Sequence, residues 1–338
     1  MPRFLPRAAV ALLATVTARS AFAQGGAISS QCPSDAPARR IVQDACQKSV
    51  DLFAFLAPQL GALVAGGNPE LGQGGALGGL GHFGVSVRAT ALRSPAPQFE
   101  EVTVSGTGAR ASAIPVQTTT VAFPVADASI GLFGGVPVGI TRLGGVDLLL
   151  NATYVPDVDA SEVQVRTTGG RLRIGYGARL GLLGETALVP GVSVSVLRRE
   201  TPTTAITAAA GNDTLGVSGT RVRTDSWRLT AGKRFLFLGV AAGVGRDRYQ
   251  ADARVAGVVN DAVLGVPVRA ESSVDLRQTV TRTNVFGNLT LLAIPFARVV
   301  GEVGRTSGGA LAPTYNSIDG RRPDAAYTYA SLGVRLGR

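Results

Sequence analysis

The chain has 338 residues, with 33 Lys and Arg against 23 Asp and Glu, for a formal charge of +10. Apolar residues make up 45%, charged residues only 17%, and mean hydropathy is +0.24, which is too apolar for a disordered secreted chain. The basic balance leaves nucleic acid, acidic lipid or anionic solutes as partner classes.

Residues 1–23 read as a signal peptide. Arg3 and Arg7 form a basic start, 8–16 an apolar core, and Ala21-Phe22-Ala23 a small-residue cleavage site. A lipoprotein anchor is not expected, because Ile28-Ser29-Ser30-Gln31 before Cys32 is a poor lipobox. Loss of Arg3, Arg7 and Arg19 leaves a mature charge of +7. An exported chain has little access to nucleic acid, so lipid and anionic solutes lead. Past the leader, the best apolar runs (52–66, broken by Pro58-Gln59, and 235–245) fall short of the roughly 20 residues a spanning helix needs. Hydrophobicity must then be spread by alternation, which points to an all-β, up-and-down antiparallel transmembrane β-barrel.

Residues 24–65 are expected as a periplasmic helical segment. Ser34 or Asp35 would cap the helix, and Pro37 suits its first turn. Ile41, Ala45, Leu52, Phe53, Leu56, Leu60 and Leu63 recur at helical spacing, and Pro58 is expected to kink or divide the helix. Cys32 and Cys46 are expected to pair in an oxidising periplasm. A helix starting at Asp35 strains that reach, and one starting two residues later eases it. Residues 66–81 carry eight glycines in sixteen positions and read as a flexible linker.

From His82 to the end the period becomes two. Phe83, Val85, Val87 and Ala89 oppose Ser86, Arg88 and Thr90; Val146, Leu148 and Leu150 oppose Asp147 and Asn151. Leu172, Ile174, Tyr176 and Leu180 oppose Arg171, Arg173 and Arg179, and Leu332, Val334 and Leu336 oppose Ser331 and Arg335. Weaker alternation falls near 125–133, 190–198, 226–232, 235–244, 281–291 and 296–304, giving about ten strands within a range of eight to twelve. Connections alternate short (184–191, 232–234, 293–295) and long (94–122, 199–224, 246–278, 305–324), the asymmetry of periplasmic turns and outer loops. Strand-like pieces such as 217–222 inside the long links would extend hairpins or add strands. An even count places both termini in the periplasm, with the helix plugging or flanking that mouth. The competing reading, a secreted sandwich or lipocalin-like barrel, needs bulkier residues on the apolar face than the Ala, Gly and Val found here.

Residues 82–338 thus resemble Gram-negative outer-membrane barrels, porin-like in the broad sense. The resemblance implies a cell outer-membrane location, lipid and lipopolysaccharide as surroundings, and barrel assembly machinery as a partner. One departure is the C-terminal Leu336-Gly337-Arg338, where such barrels usually carry an aromatic residue.

Few residues suggest chemistry. The single histidine, His82, lies about 13 Å along the strand from Ser86, too far for a nucleophile and base. Gly79, Gly81 and Gly84 match a GxGxxG string but open a strand rather than a helix, so no dinucleotide site is expected. Asp157, Asp159, Ser161 and Glu162 read as a solvated acidic loop rather than a calcium loop. No metal, cofactor or enzymatic activity is expected. The leading candidates are Arg88, Arg171, Arg173, Arg179, Arg228, Arg282, Arg298 and Arg335, which all fall on the polar face of their strands. On the lipid face each would cost about 2–4 kcal/mol near the midplane, so they are expected in the lumen or at its rims. Two outcomes follow. An open Arg-lined lumen would be a narrow anion-preferring channel or small-solute transporter. A lumen in which Arg pairs with Asp147, Glu302 and carbonyls would be a closed, structural or surface-interaction barrel with functional loops. Arg246, Arg248, Arg254, Arg321 and Arg322 fall in or beside the long loops.

Overall fold

The computed structural model describes residues 26–32, 35, 37–98, 101–159, 163–210, 213–263, 266–294 and 296–337. The leader, Ser34, Ser161 and Glu162 lie outside the described residues. Ten strands form the barrel: β1 (Phe83–Pro97), β2 (Val116–Phe133), β3 (Gly145–Tyr154), β4 (Leu172–Leu183), β5 (Gly191–Glu200), β6 (Asp213–Phe235), β7 (Leu238–Val263), β8 (Val266–Ile294), β9 (Ala297–Ser307) and β10 (Tyr327–Gly337). Each pairs antiparallel with its sequence neighbour, and β1 pairs β10 from Gly84↔Gly337 to Leu92↔Tyr329. The sheet is therefore closed and up-and-down, as the alternation required.

Strand parity sorts the residues. Val85, Val87, Ile174, Leu180, Val240, Leu289 and Val334 are exposed outside, while Ser86, Arg88, Asp147, Arg179, Ser193, Asn288 and Ser331 are buried inside. This is the arrangement of a membrane barrel, apolar out and polar in. Exposed Phe83, Phe133, Phe235, Phe237 and Phe296 ring the short-turn end, and exposed Tyr154, Tyr176 and Trp227 mark the other edge of the apolar band. Such aromatic girdles sit at membrane–water boundaries.

The long link expected over 246–278 is instead a continuous ladder: β7 and β8 pair from Leu238↔Leu291 to Val263↔Val266. The piece near 217–222 belongs to β6, which pairs with Thr203–Ala210; that strand in turn pairs Val163–Thr168. These additions extend a fin beyond the band without adding barrel strands.

Among the described residues a single helix, α1 (Pro37–Ala65), lies inside this frame. Its length and composition would suit a membrane span, yet 78% of its most apolar window is buried within the protein. Ile41, Val42, Ala45, Leu52 and Phe55 pack on Val102, Ile114, Val259 and Ile318 from the long connections and fin. Phe53 and Ala57 pack on Val222, Ala251, Val255 and Val274. The start at Pro37 is two residues later than Asp35, and Cys32 and Cys46 form a disulfide with Cα atoms 5.7 Å apart.

Two expectations change here. The helix does not sit at the mouth shared with the C-terminus. Asp44 accepts from the backbone N–H groups of Ser105 and Arg110, and Asp51 from those of Tyr315 and Asn316, all in long connections. A Cβ on Gly26 would lie 2.5 Å from the Pro313 carbonyl. The described N-terminal residues and Gly337 therefore stand at opposite ends of the barrel, against the placement of both termini on one side. Residues 66–77 are also no flexible linker. They run through the lumen from the end of α1 to the short-turn mouth, mostly buried. Their glycines serve close approach: a Cβ on Gly74 would fall 2.1 Å from the Gly232 nitrogen, and one on Gly191 would fall 2.8 Å from the Gly75 nitrogen. Backbone meets backbone there, which only glycine allows.

Candidate functional site

The lumen is the place where buried charge concentrates. Six buried arginines (Arg88, Arg179, Arg199, Arg228, Arg282 and Arg335) face five buried carboxylates (Glu70, Asp127, Asp147, Asp247 and Glu302). Charges in a confined polar interior stay only where partners compensate the lost hydration. The near balance is met in two layers.

The upper layer caps the helix. The last turn of α1 contains no basic residue, so its orphan carbonyls and the negative end of its dipole need donors from elsewhere. The barrel wall supplies them. Arg199 donates to the Ala65 carbonyl, Arg228 to those of Gly66 and Gly67 at 3.0 and 3.1 Å, and Arg88 to that of Asn68 at 2.9 Å. Asp247 holds Arg228 at 2.6 Å, and Asp127 lies 3.2 Å from Arg88 and 3.6 Å from Arg199. Asn284, oriented by Tyr329 at 2.9 Å, also donates to Gly66 at 2.9 Å.

The lower layer grips the extended segment. Glu302 accepts from the Asn68 amide at 2.8 Å and from the Asn288 side chain at 2.7 Å. Glu70 stands between Arg179, at 3.1 Å, and Arg335, at 2.6 Å. Asp147 accepts from Arg179 at 2.8 Å and from the Leu77 amide at 3.1 Å, and Ser193 donates to the Gly74 carbonyl at 2.7 Å.

The eight candidate arginines thus separate. Arg88, Arg179, Arg228 and Arg335 are buried against residues 66–70 or their carboxylate partners. Arg282 is buried but turned to the last long connection, donating to Ala325 and Pro323 at 2.6 and 3.1 Å and stacking 5.0 Å from the Tyr327 ring. Arg298 is half-buried at the short-turn mouth, and Arg173 is half-buried near the opposite end of β4. Arg171 is not in the lumen. It is exposed at the long-connection rim, 2.6 Å from Asp157, because β4 begins only at Leu172. Sequence reasoning missed Arg199, which continues the inward set Ser193, Ser195 and Leu197 one step beyond the expected strand end. It also missed Glu70, the only acid in the glycine-rich stretch.

Shifted carboxyls in the head and at the rim include Asp51 and Asp157. Burial pushes Asp51 above the ordinary range, opposed by hydrogen bonds from Asn316, Tyr315 and Gln47. The Thr167 hydroxyl and amide, then Arg171, lower Asp157 to about 2. Asp157 and Asp159 each hold an arginine, Arg171 and Arg166, so the acidic stretch is an ion-paired rim. His82 is exposed at the short-turn mouth.

No family model and no curated protein sequence matches the chain. Among solved structures, it is similar to Ail, the attachment invasion locus protein of Yersinia pestis, at 6% identity over 77% of this chain and 99% of that one, with a TM-score of 0.27. It is similar to the outer membrane protease OmpT from Escherichia coli at 10% identity over 76% and 97%, TM-score 0.37. A Pseudomonas aeruginosa FadL homologue matches at 6% identity over 76% and 89%, TM-score 0.24. These likenesses are too distant to carry an argument. The barrel architecture rests on the strand pairing, the outward apolar band and the two aromatic girdles.

Proposed function

We propose that this protein is an outer-membrane barrel closed by its own N-terminal segment, acting as a structural or surface-interaction barrel through the head formed by α1, the fin and the long connections. The observation that carries this reading is the occupied lumen: the Ala65, Gly66, Gly67 and Asn68 carbonyls and the Glu70 carboxylate take up guanidiniums that would otherwise line a water path. A narrow anion-preferring channel would require residues 66–77 to leave the lumen, breaking this whole set of contacts. The head has its own apolar core and a disulfide, features of a stable folded unit rather than loose loops.

The reading places the long-connection end, with residues 26–32, at the cell surface and the short turns in the periplasm. Single cysteines at Arg321 and Leu188, both exposed, test it on intact cells with a membrane-impermeant maleimide. Arg321→Cys should label at once, and Leu188→Cys only after the outer membrane is permeabilised. The reverse pattern would overturn the orientation.

A further inference from the structure

Most lumen guanidiniums are matched by carboxylates or carbonyls, but the short-turn mouth is not balanced in this way. A cavity of about 280 Å³ opens there, walled in part by Arg142, Arg234, Arg298, Arg335 and His82. Its one acidic lining residue, Glu185, is held by Arg234, Nε to Oε2 at 3.0 Å, and accepts the Arg234 amide at 2.7 Å. Arg335 is committed to Glu70. Among the described residues, Arg142 and Arg298 have no carboxylate within ion-pair distance. Arg298 lies within electrostatic reach of Arg335 and Arg234 and, more weakly, of Glu185, which Arg234 already holds. Evolution of a mere lid for the lumen would not require like charges to converge on an open hollow, since mutual repulsion works against it.

We propose that this hollow is a binding site for a compact polyanion bearing phosphate or carboxylate groups. Guanidiniums match such oxyanions in planar, charge-assisted geometry, and a cleft of one sign concentrates the opposite ion. The volume falls just under the roughly 300–1,000 Å³ typical of drug-sized ligands, which suits a small anion. Because residues 66–77 close the lumen above it, the hollow is a dead end, so it binds without conducting. The site does not depend on the surface role of the head. Loss of anion binding would leave the closed-barrel reading intact, and conductance would test that reading by itself, so the two failures are distinguishable.

The test is calorimetric titration of the detergent-solubilised full chain with inorganic pyrophosphate at low salt. One saturable site is expected, weakened about tenfold or more by Arg298→Ser and by Arg142→Ser. Arg171→Ser, at the opposite rim, should bind as the unmodified chain does. A heat-modifiable gel shift verifies that each variant is folded. Should a serine variant not fold, the unmodified chain still decides. Pyrophosphate should raise its melting midpoint beyond the effect of sodium chloride at equal ionic strength. Absence of saturable binding, equal affinity in folded variants, or equal melting shifts in the two salts would each overturn the site.

Discussion

Arg335, in the last strand, donates through Nε and Nη2 to the Glu70 carboxylate at 3.0 and 2.6 Å, closing a contact across 265 residues of sequence. Arg179 reaches the same carboxylate at 3.1 Å from β4. One acid in the threaded segment thus ties the first part of the chain to two sides of the barrel. Removing one partner of a buried ion set leaves the others uncompensated, at a cost of about 3–5 kcal/mol. Glu70→Gln should therefore destabilise the barrel by a free energy of that order, read as a clearly lower unfolding midpoint in a heat-modifiable gel assay. A midpoint equal to that of the unmodified chain would show that the segment is not held by this contact.

Gly74 makes a second, independent prediction. A side chain there would meet the Gly232 backbone at 2.1–2.5 Å, and wall backbone fixed by β5 and β7 ladders cannot step aside. Overpacking of this kind costs about 1–3 kcal/mol. Gly74→Val should destabilise the closed state and speed proteolytic cleavage within residues 66–77, whereas Gly81→Ala, at a position with open space around its Cβ, should cost only its positive-φ strain. Equal protease resistance of Gly74→Val and the unmodified chain would contradict the close approach.

The disulfide should act locally. Its ring spans 14 residues, for which loop-closure entropy gives about 3 kcal/mol. Reduction should accelerate amide exchange over residues 37–50 while the β1–β10 seam keeps its protection. Uniform acceleration through the barrel would show that head and wall unfold as one unit.

The rim carboxyl of Asp157 gives a pH prediction. Its folded value, about 2, lies below the ordinary 3.8 because the bound Thr167 hydroxyl and amide and the Arg171 guanidinium favour the charged form. A depressed acid contributes stability above its unfolded value and loses it as pH falls through the folded one. The 155–171 connection should thus stay pinned down to pH about 3.8 and loosen between that and about 2. A carbon NMR titration of the Asp157 carboxyl in micelles should show a midpoint near 2 that rises in Thr167→Val. A midpoint near 3.8 would remove the proposed hydrogen bonds.

The barrel was legible in the sequence because lipid on one side and a polar lumen on the other impose a strict period of two. All ten expected strands appear, and Arg88, Arg179, Arg228 and Arg335 follow from parity alone. The threaded segment was not legible. Eight glycines in sixteen residues signal freedom when read locally, but Gly74 and Gly75 are needed for contact with Gly232 and Gly191, more than 100 residues away. Sequence gives no sign of which glycines will face one another. Arg171 stands at the rim rather than inside the lumen for a similar reason: parity persists past a strand end, while the barrel wall does not. The helix was expected at the mouth shared with the C-terminus because an even strand count fixes only on which side β1 starts and β10 ends, not where the chain before β1 has been.

Single-channel recording in planar bilayers tests the closed lumen most directly. With insertion verified independently, the full chain should give no conductance steps at any voltage below that which disrupts the bilayer, and Glu70→Gln should give intermittent small steps as residues 66–77 loosen. Regular steps from the unmodified chain, with the same size in Glu70→Gln, would contradict a lumen sealed by its own N-terminal segment.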